Sequence, residues 1–498
     1  MALSGGERVE LMPLAAELAD LQGALHEAAG EYAAGRAEDL RTTFAYGAHP
    51  LLMRAEEVAE LRPRADDPQV RPLFAHLVRA QIAGGCAPGL DRIRMELHGE
   101  RLKGLEDKWF FADTRERITA ECNRKQRKLL DQAWRRALAR HEPDYLKVLE
   151  QSHTLMVDRG FTGYTAMCQA LYGVDVAALL EEADGLAEDS AGTFGALMAE
   201  PLRAAGVFPE DARYHDMVYL WGGAWGPARG IPDAAELVGA TFRELGLALD
   251  AIPGLTADLG AREGKLPGVT VAAVRVPQDV RLIARPEATW IAPVEWLSGA
   301  AVAVGLAHAP ADEPSKALID PAVRACWQAV FASLYGNPEW IRRHLPKTEA
   351  QPQTRLFHLW WLYEVRRLHG MAGFARYLHG PGEPMDKADA FEHYLHKATG
   401  ARFERDHYLA DTRWFLEDLF TLRGHFLAAQ ILTGLEEEFG TAWFADPGAA
   451  TRLRALWGAG WHRFEALAEA AGIDEPDDIW PLTERLEAVL GEFEEDDA

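Results

Sequence analysis

The stretch 264–309, GKLPGVTVAAVRVPQDVRLIARPEATWIAPVEWLSGAAVAVGLAHA, constrains the chain most, because a β-like segment runs directly into a helix that is apolar on nearly every face. Val269 to Val274 and Val280 to Ala284 are short runs with many β-branched residues. Pro277, Gln278 and Asp279 interrupt them, so the segment 266–287 is predicted to form a small hairpin or two edge strands. From Pro293, which suits a first helical turn, to His308, only Glu295 and Ser298 are strongly polar. A helix of that composition buries itself in a core. At about sixteen residues it is shorter than the roughly twenty that a membrane span needs.

Elsewhere the periodicity is helical. Leu11, Leu14, Leu18, Leu21 and Leu25 recur at spacings of three and four, the mark of an amphipathic helix. Residues 70–83 and 90–108 read as two helices parted by GGCAPG. Thr354 to Leu490 is helical by pattern throughout. The expected fold is mainly α, with an N-terminal helical region at 1–150, a larger helical domain at 151–498, and two helical halves flanking a cleft. Gly-rich phosphate loops, dinucleotide fingerprints and solenoid repeats are absent from the sequence.

The order of strands and buried helix resembles the zinc peptidases of the thimet oligopeptidase and oligoendopeptidase F type. The likeness extends from about His153 to the C-terminus and includes RYHDMVYLW, the NPEW at 337–340 and AAQILTGLEEEFGTAWFADP. It implies a large, multi-helix, gluzincin-like architecture in which the β-hairpin or small sheet walls a central cleft beside the zinc helix. In that family the buried helix carries H-E-x-x-H, two His ligands and a Glu general base. Placed on this sequence, the pattern puts Ser298 at the first His, Gly299 at the Glu and Val302 at the second His. The helix expected at Val323 to Ile341 puts Ala325 where the third ligand, a Glu, would stand. A family tyrosine maps near Glu417, and Arg423 on the same helix is retained. The resemblance therefore implies a degenerate zinc helix at 293–308 with no catalytic residue and no metal or other cofactor. It implies contacts to an extended substrate from Val269, Val271, Ala273, Arg275, His308 and Arg423.

Other constellations are weaker. His26-Glu27 begins an H-E-x-x-H that ends on Gly30, and a solvated helix face is expected there. His215 and Asp216 are adjacent, so on a helix they diverge, which favours packing over catalysis. Glu392, His393 and His396 approach one another on a helix, but no partner helix completes a metal site. The basic run from Arg115 to Arg140 is expected to pair with the protein's own carboxylates.

A net charge of −25 and a pI near 5.1 oppose binding to nucleic acid or to an anionic membrane surface. Cys86, Cys122, Cys168 and Cys326 are too scattered for a disulfide framework, and no basic, apolar leader precedes the first helix. A reducing cytoplasm is expected. The sequence thus points to an inactive peptidase relative whose partners are a peptide segment, an active peptidase or another protein. Two alternatives stand beside it: an enzyme with metal-independent chemistry built from Glu295, Ser298, His308 or His215, and a purely structural interaction protein with a closed cleft.

Overall fold

The computed structural model describes all residues except 1–4, 104–107, 225–232, 288, 312, 346, 382–383 and 494–498. In chain order, the elements that position the cleft are α1 (Gly5–Ala33), α2 (Arg71–Gly99), β1 (Arg101–Lys103), β2 (Lys108–Phe110), α3 (Arg124–Asp158), β3 (Leu255–Asp258), β4 (Val269–Arg275), β5 (Asp279–Ala284), α4 (Ala292–Ala307), α5 (Pro321–Ala332), α6 (Ala350–Leu378) and α7 (Glu417–Phe439). Helices dominate, as the periodicity requires. One apolar core runs from Leu11 to Leu490, and α3 continues through residue 150, so the regions 1–150 and 151–498 share that core. Among the described residues no helix is long and apolar enough to cross a membrane.

GGCAPG does not divide two helices; it lies inside α2, with Pro88 in mid-helix. Close packing is the reason. A Cβ added at Gly85 would stand 2.5 Å from Leu155, and one at Gly89 would stand 2.6 Å from Val148, so these glycines let α3 press against α2. The Gln151 side-chain amide donates to the Gly85 carbonyl at 2.8 Å, satisfying a backbone group close to the proline.

The hairpin forms as expected, with β4 antiparallel to β5. The sequence reading missed a third strand, β3, which pairs in parallel with β5 and leaves β5 central and β4 at an edge. Pleating sends alternate side chains of β4 to opposite faces. Ala272 joins Ala34 and Ile283 on the face under α1, where Gly30 comes close to Ala272. Val269 and Leu282 face α4 at Gly299. The sheet is thus held between a helix from the chain's start and the buried helix α4.

The helix expected at Val323 to Ile341 is broken. α5 ends at Ala332, and Asn337 caps a separate helix, Pro338–His344, by accepting from the backbone N–H groups of Glu339 and Trp340. The basic run meets carboxylates of the chain itself: Arg124 and Arg127 pair with Asp216, and Arg135 pairs with Asp131 and Asp406. His215 is buried among these groups, 3.7 Å from both Asp131 and Asp216. Glu392 pairs with Arg402 at 2.9 Å.

Candidate functional site

A cleft of about 1020 Å³ opens between α1, the β4 edge, α4, α5, α6 and the start of α7. Its floor is made by two helix faces. From α4 come Glu295, Ser298, Gly299 and Val302, spaced by three and four residues; from α5 come Arg324, Ala325 and Gln328. Ser298, Gly299, Val302 and Ala325, drawn from sequence positions far apart, are therefore brought together on one surface.

Val269 and Val271 line the same cleft. The other expected contact residues do not. Ala273 is buried in the core, and Arg275 is exposed beside the turn, paired in register with Asp279. The His308 ring donates from Nδ1 to the Val304 carbonyl at 2.8 Å and packs on Trp457, with ring centres 5.6 Å apart. Arg423 donates to both oxygens of Asp477, at 2.6 and 3.0 Å, and lies over Phe464. Glu417 is likewise committed to structure, since Arg79 donates to it and to Tyr172. These side chains are already engaged in holding the fold.

Hydrogen bonding across the sheet sets what β4 offers. Arg285 donates its backbone N–H to Gly268. Alternate residues of an antiparallel ladder face the same neighbour, so Gly268 and Thr270 face β5 while the backbone groups of Val269 and Val271 face outward. The segment 267–271 of this edge borders the cleft. His26, expected on a solvated face, instead reaches into the cleft from α1 and hydrogen-bonds the Val271 backbone. Burial and the nearby Arg324 charge pull its pKa down to about 3, so the ring is neutral and donates one N–H.

The charged side chains of the walls are mostly paired. Arg367 holds Glu364 through two bonds of 2.9 and 2.7 Å; burial raises the Glu364 pKa, but Arg367 outweighs it and brings the carboxyl down to about 2. Glu287 accepts from the Gly268 N–H at 2.7 Å, Glu116 accepts from Arg285, and Arg413 pairs with Asp418 at 2.9 Å. His425 takes the Trp361 indole N–H on Nδ1 at 2.8 Å, and burial draws its pKa down to about 4. Glu295 is the exception among the acids: burial raises its pKa, partly opposed by Arg115.

Two solved structures share this architecture. PZ peptidase A with an inhibitor superimposes with a TM-score of 0.67 at 12% identity, covering 87% of this chain and 81% of that one. A protein described as oligoendopeptidase F from Bacillus anthracis str. Ames gives a TM-score of 0.65 at 13% identity, covering 90% and 82%. The fold is that of the oligoendopeptidase F type. Identity this low establishes the fold alone. No protein-family model and no curated protein matches the sequence.

The zinc group that the sequence resemblance implies does not fit the residues it places at the ligand and base positions. Zinc takes thiolate, imidazole or carboxylate donors. Ser298, Gly299, Val302 and Ala325 supply one hydroxyl among them, and it donates to the Gln328 carbonyl at 3.1 Å. Among the described residues no three His, Cys, Asp or Glu side chains form a group able to hold a metal ion. Sequence reasoning missed His26, Arg324, Glu364 and His425 as cleft residues. Arg324 carried a signal as the neighbour of Ala325 on the same expected helix, and His425 as a near neighbour of Arg423.

Proposed function

We propose that this oligoendopeptidase-fold protein binds an extended peptide in its cleft and does not hydrolyse it. One observation carries the reading: Ser298, Gly299, Val302 and Ala325, where the resemblance would put the zinc group, offer no ligand, yet they floor an open cleft bordered by a strand edge that no strand pairs with among the described residues. Metallopeptidase hydrolysis needs a metal to bring water's pKa near 7 and a base to take its proton. A strand edge needs neither to bind, because an extended chain adds to it through main-chain hydrogen bonds. Val269 N–H and C=O and the Val271 N–H are the groups available for that addition.

Metal-independent hydrolysis around Ser298 lacks support. Its hydroxyl points to a backbone carbonyl, His308 is turned to Val304, and His215 belongs to the buried cluster with Asp131 and Asp216. A closed, purely structural cleft conflicts with the open volume.

The test is fluorescence anisotropy with a labelled library of eight- to twelve-residue peptides, followed by mass spectrometry of the recovered peptides. Saturable binding with intact peptides supports the proposal. Fragments that accumulate in proportion to protein, and vanish in a Ser298→Ala or Glu295→Gln variant, overturn the claim of no hydrolysis; the absence of any binding overturns the claim of a peptide site.

A further inference from the structure

Among the cations of the cleft, Arg367 is bonded to Glu364 and Arg413 to Asp418, and Arg115 lies toward Glu295, whereas the Arg324 side chain, among the described residues, makes no hydrogen bond or ion pair. The carboxylate whose charge it feels most, Glu417, spends its contact on Arg79. Arg79, Arg324 and Arg413 thus surround Glu417 and Asp418, leaving one positive charge unmatched, and that charge is the one on the cleft wall. One helical turn along α5, Gln328 also lines the cleft, and its side-chain amide makes no hydrogen bond among the described residues. Residues four apart share a helix face. A guanidinium and a primary amide therefore stand side by side with their donors unspent.

We infer that Arg324 and Gln328 form a carboxylate-binding subsite, so that the peptide the cleft takes is one that presents a carboxylate to α5. The inference rests on the peptide reading above. Its geometry follows from the cleft: Val269 and Val271 of β4 line the same cavity as Arg324 and Gln328 of α5, and the Arg324 charge is felt at His26 beside Val271, so a chain paired along Val269 to Val271 runs through the cavity that the guanidinium faces. A planar guanidinium matches a carboxylate with two parallel N–H donors, and the Gln328 amide can add a third. The pair stands on either side of Ala325 on the cleft face, where the resemblance would put a third metal ligand, and presents a positive group to a bound peptide. Acidic lining groups do not cancel it, since Glu364, Glu287 and Glu116 are each held by a donor of their own, and Glu295 lies toward Arg115. The carboxylate is either a peptide's C-terminus or an Asp or Glu side chain.

Three octapeptides of one neutral sequence, each labelled with an uncharged dye, distinguish these sources: one with a free C-terminal carboxylate, one amidated, and one amidated with a central Glu. The free acid, the Glu peptide or both are expected to bind the natural chain at least about tenfold more tightly than the neutral amide, the scale of one charge-assisted contact. Whichever of the two gains identifies the source. The gain weakens as salt is raised. Arg324→Gln is expected to erase the difference between the three peptides, and Arg324→Lys to keep part of it. Equal binding of all three peptides by the natural chain overturns the carboxylate subsite and leaves the peptide site standing. No binding by any of them overturns both. Because the comparison is made first on the natural chain, a variant that fails to fold does not blunt it.

Discussion

Gly299 of α4 faces Val269 of β4 so closely that a Cβ at position 299 would lie 2.3 Å from the valine Cγ1. The helix and the strand edge therefore meet backbone to side chain, and the position where the resemblance would put the general base is filled from the opposite wall. Replacing a helical glycine by alanine ordinarily gains up to about 1 kcal/mol. Here overpacking should dominate, at about 1–3 kcal/mol. Gly299→Ala is expected to lower stability to urea, and Val269→Ala/Gly299→Ala to recover most of the loss. Additive effects in that double-mutant cycle would show that the two residues do not touch.

The same contact bears on restoring a metal site. Ser298→His, Val302→His and Ala325→Glu would supply the ligands that the resemblance calls for and Gly299→Glu the base, yet a side chain at 299 collides with Val269 and would push α4 from the strand. The quadruple variant is expected to bind zinc poorly, and addition of Val269→Ala to improve zinc binding by tenfold or more. Isothermal titration with zinc checks this. Equal affinity of the two variants would mean that β4 is not the obstacle.

Much of this arrangement was legible in the sequence because it is local. The buried α4 announced itself by its unbroken apolar run, and β4 and β5 by their β-branched residues and the break at Pro277. β3, Leu255–Asp258, was not legible, since four residues with little β-branching become a strand only by pairing with β5. GGCAPG read as a turn because the contacts that keep it helical, to Leu155 and Val148, lie far along the chain. His26 was misplaced for the same reason: nothing near it in sequence reveals that α1 lies on the sheet beside Val271. Arg423 was drawn toward the cleft by resemblance, whereas Asp477 and Phe464 hold it elsewhere.

Arg423 consequently tests structure against binding. It is only 4% exposed, while its partner Asp477 remains accessible to water, so removing the arginine forfeits a charged hydrogen-bond pair and the packing over Phe464, and takes from the buried Asp320 a cation that favours its charged form. Arg423→Met is expected to cost about 1–3 kcal/mol of stability. Its peptide affinity, measured well below the melting temperature, should match that of the natural chain. A tenfold loss of affinity with unchanged melting would return Arg423 to the site.

Acid should weaken the fold in a definite window. Burial lowers the pKa of His358 and His425 from 6.5 to about 4, so below 6.5 the unfolded chain binds protons that the native chain refuses. Their contribution is complete above pH 6.5 and is lost as pH falls toward about 4. Glu364, whose pKa falls from 4.5 to about 2, acts with the same sign at still lower pH. Urea midpoints measured from pH 7 to pH 4 should fall steadily, and a His358→Gln/His425→Gln variant should show a shallower fall. An unchanged slope would place the titrating groups elsewhere.

His26 holds an acceptor that a bound strand would need. Its imidazole occupies the Val271 carbonyl, an outward group of the β4 edge, so a peptide adding to this edge must either forgo one hydrogen bond or displace the ring. His26→Ala removes the competitor at the cost of one neutral hydrogen bond, about 1 kcal/mol of stability. The freed carbonyl should then raise peptide affinity severalfold, and the gain should disappear for a peptide N-methylated at the residue that would donate to it. The measurement is anisotropy with the paired peptides on the natural chain and the variant. Unchanged affinity in His26→Ala would mean that a bound peptide never uses Val271, and would move the binding register away from the β4 edge toward the α4 and α5 floor.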